Sequence, residues 1–432
     1  MAKTAIISVD GHVKGSRATY REYIPQKFHE AYDEQVKAAE ESGMRDAGNL
    51  HPEFDPDVQW DSEVRTGLLE GIGVVAEVLF PNGQPFQLNR LDDFATSQSS
   101  ELGDAGRQAY NRWLVDFCAQ SPERRRGQMQ MSFADVDRAV ADVHWAKEHG
   151  LGGIALPGLT RQGPYYFDPA LDPVWAACVE TGLPLSQHGG GFDPWGPQGS
   201  MGIRGTAPGF GAFMMISTEN AFFSNRSLWM LIAGGVFDRF PDLRAGWIET
   251  QMHLVMPTIN YLDKVLESDW MGQWSVKPGI KHLPSEYFGR NVFVGLSPFS
   301  PRQDPKGEVF GKNAEGTELP GFHMGSKAIM YGVDFPHFET CFQRNMGEVA
   351  TLVSTPFIDD DEAQHMLFDT AADLYNFDVD ALQPDIDRIG FEVDDVRDHA
   401  DEYTTDLPDF DISHITGGQG RFGRRPASPA AS

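Results

Sequence analysis

The chain is expected to fold as an α/β protein: a (β/α)8 TIM barrel with insertions after the first and fifth strands and a C-terminal extension. Three observations carry that expectation. Eight short apolar runs lie between residues 5 and 335, most of them separated by stretches of helical periodicity, and such alternation implies a parallel sheet. Eight units of this kind close into a barrel more readily than they spread into an open sheet. Carboxylates and imidazoles stand where several of the runs end, and strand C-termini are where barrels build their sites.

The first run, Ala5-Ile6-Ile7-Ser8-Val9, ends in Asp10-Gly11-His12. Alternate residues of an extended chain face the same way, so this carboxylate and imidazole can converge on one point. A plain Asp-Gly turn followed by a surface histidine is the alternative on these residues alone. A charged helical stretch over 20–47 and a Pro/Asp-rich loop over 49–61 make the first insertion. Residues 63–71 read as a helix stopped by glycine, and 74–80 as a buried strand closed by Pro81-Asn82-Gly83. Helical spacing of Tyr110, Trp113, Leu114 and Phe117 marks a helix over 102–120. Strands at 128–132, 152–157 and 183–188 alternate with helices at 135–150 and 172–182. The fifth strand ends on His188 and opens a glycine-rich loop over 189–211, the second insertion. A helix over 217–239, a strand over 243–248 ending on Glu249, and a helix over 253–267 follow. Strands over 291–294 and 328–333, the latter ending on Asp334, and a helix over 359–375 complete the set. Residues 1–377 thus make the barrel, and 378–432 an acidic extension whose end is expected to be disordered.

The 432 residues are 41% hydrophobic, enough for one large core. A formal net charge of -28 repels a phosphate backbone, so no nucleic-acid partner is expected. No uncharged apolar stretch is long enough to span a membrane. The three cysteines form no CxxC pair, which excludes a zinc ribbon and a disulfide framework. With the first strand starting so close to Met1, no signal peptide is expected, and the location implied is cytoplasmic. Residues 71–76 match GxGxxA but precede a strand instead of following one, which rules out a dinucleotide fingerprint.

In a closed barrel Asp10, His12, His188 and Asp334 converge on one mouth. Two imidazoles and two carboxylates make a mixed N/O site that suits Zn²⁺, with Mn²⁺ or Fe²⁺ as alternatives. A lone buried histidine is usually a packing residue. Four polar groups converging from three separate strand ends are not so explained.

These strand ends, together with Gln187-His188-Gly189-Gly190-Gly191, the run from Phe237 to Arg244, Tyr331-Gly332-Val333-Asp334-Phe335-Pro336-His337 and Asp373-Leu374-Tyr375, resemble the amidohydrolase-related family. This branch of the amidohydrolase superfamily includes aminocarboxymuconate-semialdehyde decarboxylase and the resorcylate-type decarboxylases. The resemblance spans residues 5–377. It implies a metal-dependent enzyme acting on a small molecule, with Asp10, His12, His188 and Asp334 as ligands and Asp334 also as proton carrier. One departure stands out. Where the decarboxylases carry a histidine at the sixth strand, this chain has Glu249, with His253 four residues on; both are candidate catalytic groups beside Asp334.

The fourth strand ends Ala155-Leu156-Pro157, without the lysine that bridges two ions in many relatives, so one ion is the default. Glu249 or Glu77 is the candidate bridge to a second. Arg204 and Trp195 in the glycine-rich loop, and His337, are candidate substrate-binding residues. The replacement at Glu249 favours hydrolysis of an amide, lactone, ester or thioester through an activated water. Non-oxidative decarboxylation of an aromatic or unsaturated acid is the alternative, and a non-catalytic ligand-binding barrel a third. A homodimer is expected for a barrel of this type.

Overall fold

In the computed structural model eight parallel strands pair in chain order. They are β1 (Ile6–Val13), β2 (Val74–Pro81), β3 (Arg125–Gln130), β4 (Gly153–Ala155), β5 (Leu185–His188), β6 (Ala245–Ile248), β7 (Val292–Gly295) and β8 (Ile329–Met330). The seam between β8 and β1 is closed by backbone bonds beyond the β8 ladder. Val9 donates to Tyr331 O at 2.9 Å, Asp334 to Asp10 O at 2.8 Å and His12 to Phe335 O at 2.7 Å. The expected (β/α)8 barrel is the fold observed. The structure describes residues 3–43, 46, 50–51, 54–86, 101–158, 163–189, 224–250, 255–268, 279–297, 309–313, 316–337 and 344–405. Trp195, Arg204 and His253 lie outside them, as does most of the glycine-rich loop.

The helices follow from local signals. The first insertion carries α1 (Arg17–Tyr23) and α2 (His29–Glu41), parted near Pro25. In α3 (Ser62–Glu70) the Asp61 carboxylate accepts the N–H groups of Glu63 and Val64, an N-cap that satisfies two orphan donors. Helix α4 (Glu101–Cys118) buries Tyr110, Trp113, Leu114 and Phe117 as their spacing implies. Asp135 caps α5 (Val136–Glu148) through the Arg138 N–H. Helix α6 (Asp172–Thr181) stops at Gly182, whose φ of 68° is the left-handed C-cap that glycine adopts freely.

Four differences from the sequence reading have physical causes. Strand β3 begins at Arg125, earlier than its apolar run, because its two arginines find carbonyl partners. Arg125 bonds Ser62 Oγ and Phe117 O, and Arg126 bonds Tyr375 O and Asn376 O. The described part of 217–239 splits at Gly234-Gly235 into α7 (Arg226–Ala233) and α8 (Val236–Arg239), followed by α9 (Val255–Glu267). Beyond α10 (Asn345–Val353), the last expected helix widens into a π turn at His365–Asp369 between α11 (Asp360–Gln364) and α12 (Thr370–Leu374). The acidic extension, for which the sequence marked no helix, forms α13 (Val379–Ile389), α14 (Val393–Asp398) and α15 (Ala400–Thr405).

Apolar packing has two layers. The larger cluster lies between strands and helices, around Trp175, Tyr110 and Trp247. The smaller one fills the inside of the barrel with Ile7, Val9, Ala76, Val78, Phe80, Ile248, Phe293 and Met330. Tyr375, Phe377, Leu382 and Ile386 join it from the N-terminal side of the strands, so α13 plugs the floor. Thr4 and Phe391 exchange both backbone hydrogen bonds, each 2.9 Å, and pin the start of the chain to that plug. With the floor sealed by apolar groups, polar chemistry is left to the other end. No described helix is long and apolar enough to cross a membrane.

Candidate metal centre

The C-terminal end of β1 is fully buried, including Asp10 and His12. The register between β1 and β2 shifts between Ser8 and Gly11, a bulge that turns the polar residues toward the mouth. Ser8 Oγ donates to Asp10 O at 3.0 Å and accepts the Val333 N–H at 3.0 Å, tying β1 to the segment after β8. Gly332 must be glycine here, since a Cβ would lie 2.8 Å from Asp10 Cβ.

His12 Nε2 is the meeting point. His188 Nε2 lies 3.1 Å from it, Asp10 Oδ1 3.2 Å and Asp334 Oδ1 3.3 Å. His188 Nε2 is also 3.1 Å from Asp10 Oδ1. The four ligands expected from the sequence are therefore brought together from β1, β5 and the segment after β8. His337 joins them, its ring stacked on that of His12 with centroids 3.8 Å apart and its Nδ1 2.9 Å from Asp334 Oδ1.

The outer nitrogens set the tautomers. His12 Nδ1 lies 3.3 Å from Pro81 O and His188 Nδ1 2.9 Å from Gly189 O. A carbonyl accepts only N–H, so each ring turns a bare Nε2 inward. Two imidazole lone pairs and carboxylate oxygens then face one another in a buried space. Asp10 Oδ2 and both oxygens of Asp334 receive no well-formed hydrogen bond. Buried carboxylate oxygens left in that state are costly, and a divalent cation resolves the deficit. The donor set of two neutral imidazoles and two carboxylates fits Mn²⁺, Fe²⁺ or Zn²⁺.

Without a cation, protons take its place. Burial alone would lower the pKa of His12, but its contacts with Asp10 and Asp334 outweigh burial and carry it up to about 9. For His188 burial is likewise outweighed, chiefly by the charge of Asp10, and its pKa rises. Burial opposes ionisation of Asp10, yet the two imidazoles hold it below the ordinary carboxylate range. Asp334 is held low in the same way by His337 and His12. Burial pushes the pKa of His337 down, against the pull of Asp334.

Two non-glycine residues at the mouth adopt left-handed backbone, Glu249 at φ 57° and Asp334 at φ 59°. Such conformations cost energy and recur at functional positions. Glu249 follows β6 directly, and its Oε2 is 3.6 Å from His188 Nδ1. A Cβ on Gly189 would lie 2.3 Å from Glu249 O, which explains the glycine after the fifth-strand histidine. Glu77, the other candidate bridge to a second ion, is corrected by the structure. Both its oxygens accept from the guanidinium of Arg65 at 2.7–3.1 Å, so its charge is spent on a buried ion pair and not on an ion at the mouth.

Sequence reasoning missed two groups. Arg65 sits fully buried on α3, one turn before Leu69, and an arginine at an apolar helical phase is a signal that was available. Gln130, at the end of β3, is buried with neither amide atom hydrogen-bonded.

A family profile described as Amidohydrolase matches residues 88–246, a segment that includes His188 but not the other expected ligands. No curated protein sequence matches the chain. Among solved structures, an amidohydrolase from Mycobacterium avium subsp. paratuberculosis K-10 superposes with a TM-score of 0.57 at 16% identity, covering 87% of this chain and 100% of its own. The 5-carboxyvanillate decarboxylase of Novosphingobium aromaticivorans DSM 12444, complexed with manganese, gives 0.58 at 17% identity over 86% and 96%. The 2,6-dihydroxybenzoate decarboxylase from Rhizobium gives 0.56 at 14% identity over 87% and 99%. The chain thus resembles the Amidohydrolase family in sequence over residues 88–246, and across the barrel it shares its fold with solved structures of an amidohydrolase and of decarboxylases.

Proposed function

We propose that this protein is a divalent-metal-dependent, non-oxidative decarboxylase of a small aromatic or unsaturated carboxylic acid. The observation that carries the reading is a pair of buried clusters that share His12, one with Asp10 and His188 and the other with Asp334 and His337, with carboxylate oxygens left unsatisfied. Its barrel superposes on that of a decarboxylase solved with manganese, which makes Mn²⁺ the first ion to test and Zn²⁺ the second. When held by these four side chains, the ion supplies Lewis acidity toward an oxygen of the substrate.

The remaining chemistry belongs to the chain. Asp334, a carboxylate in this setting, accepts a proton from a substrate hydroxyl or a water and delivers it to the carbon that CO₂ leaves. The electron pair of the broken C–C bond stays on that carbon and takes the proton, so the reaction needs no oxidant. His337 Nδ1 lies 2.9 Å from Asp334 Oδ1 and keeps that carboxylate in place beside the centre. Glu249 raises the basicity of His188 from its outer side. Arg204 and Trp195 remain the residues proposed to bind substrate.

Glu249 in place of a histidine supports one other reading, hydrolysis of an amide, lactone, ester or thioester. There Asp334 would take a proton from the attacking water and pass it to the leaving group. The test is a panel of hydroxybenzoates beside lactones, amides and thioesters, run with Mn²⁺-loaded protein. Release of CO₂, with one deuterium entering the product carbon in D₂O, is the expected result. Turnover of a carbonyl substrate with ¹⁸O from water in the acid product, and no CO₂ from any acid, would overturn it.

A further inference from the structure

We propose that Arg65 is the positioning residue of the metal centre, holding the His12 and Asp334 segments at their spacing through a guanidinium anchored on Glu77. The inference rests on the metal-centre reading above. Arginine has five N–H donors in one plane, and here all five have an acceptor. Nε donates to Glu77 Oε1 at 2.9 Å, and Nη2 to Glu77 Oε2 at 2.7 Å, a bidentate pair. Nη1 donates to His12 O at 3.1 Å and Val58 O at 3.2 Å, and the second Nη2 hydrogen goes to Phe335 O at 3.3 Å. One of these carbonyls belongs to a ligand, and another to the residue after a ligand. Phe335 O also accepts the His12 N–H at 2.7 Å, so the guanidinium and the β1 backbone share one acceptor across the seam.

Three further observations point the same way. The guanidinium stacks over the Phe335 ring, 4.8 Å from its centroid, which fixes its plane. A Cβ on Gly11, between the two β1 ligands, would lie 3.0 Å from Glu77 Oε2 and 3.2 Å from Arg65 Nη2, so the ion pair lies close under that glycine. The charge of Arg65 is matched by Glu77, with Arg125 Nε a further 3.7 Å from Glu77 Oε1. A buried pair this closely satisfied adds little net stability over an apolar pair. Its distinctive product is geometry: one planar group spans α3, β1, β2 and the Asp334 segment.

The test compares Arg65→Lys, Glu77→Gln and a control, Val143→Ala, which destabilises the fully buried face of α5 away from the seam. Mn²⁺ dissociation constants are measured by electron paramagnetic resonance on the full chain, alongside urea midpoints. Lysine keeps the charge but cannot span the five acceptor atoms, so Arg65→Lys should weaken Mn²⁺ binding at least tenfold, within the ~10–100-fold range for groups that orient metal ligands. Glu77→Gln should weaken it by a smaller factor, and Val143→Ala should leave it unchanged within error. Equal affinity in Arg65→Lys and the parent overturns the proposal, as does a loss in the control matching that in the variant. If Arg65→Lys does not fold, Glu77→Gln decides, and parental affinity there refutes positioning. A parent chain that takes up no Mn²⁺ removes the metal reading itself, a result distinct from all the others.

Discussion

Loading the metal-free protein with Mn²⁺ should expel protons, and His12 sets the number. Its pKa is carried up to about 9 against the pull of burial, so at neutral pH the imidazole holds an extra proton almost all the time. A divalent ion requires the bare Nε2. Binding therefore releases one proton from His12, and His188, also raised, adds part of a second. Between pH 7 and 9 the association constant should climb about tenfold per pH unit, and the competition at pH 7 costs roughly 3 kcal/mol of binding free energy. The same shift stabilises the metal-free fold. That contribution is complete below the unfolded value of 6.5 and is lost as pH rises through about 9, so the metal-free protein should unfold more easily at the alkaline end. Calorimetric titration with Mn²⁺ near neutral pH, in buffers of different ionisation enthalpy, reads the proton count as the slope of heat against buffer enthalpy. A slope near zero together with a pH-independent affinity would refute the tautomer and charge assignment at the centre.

Asp334→Asn keeps the shape but removes the proton carrier, and turnover should fall by about 10²–10⁴-fold; activity within a few-fold of the parent would show that another group carries the proton. Gly332→Ala places a methyl 2.8 Å from Asp10 Cβ and 3.1 Å from Ser297 Cβ. Overpacking of this kind costs about 1–3 kcal/mol, so the urea midpoint and the bound metal per chain should both drop, and an unchanged midpoint would count against the close approach. Gln130→Leu removes a buried amide with neither atom bonded, and stability should be unchanged or rise by up to ~3 kcal/mol. A lower urea midpoint would mean that the amide is satisfied in solution.

The barrel was legible because its strands are apolar runs bounded by glycine and proline, with candidate ligands at their ends. Asp10, His12, His188 and Asp334 could be placed before any coordinates, since strand ends of a closed barrel must converge. Other features were hidden for specific reasons. The arginines of β3 look like a turn until carbonyls of α4 and of residues 375–376 are in place to receive them. Strand β8 keeps only two ladder residues because Tyr331 to Phe335 bond to β1 instead, a non-local exchange that no local pattern announces. Glu77 looked like a second ligand because it is a carboxylate in a barrel strand. Its partner Arg65 is twelve residues earlier, on a helix whose inward face could be traced but whose target could not. The left-handed backbone of Glu249 and Asp334 likewise depends on neighbours from other strands.

The closing bonds of the seam bear on how the molecule is made. A growing chain presents Asp10 and His12 first, and Asp334 only when every other strand already exists. Because Asp10, His12 and Asp334 come from the two edges that meet last, an incomplete ring holds only part of the coordination set, and long-range contacts of this kind form late in folding. On the proposed metal reading, an ion held by Asp10, His12, His188 and Asp334 would therefore act as a latch on the finished ring and not as a seed for its assembly. Each loaded molecule is one whose final strand has docked.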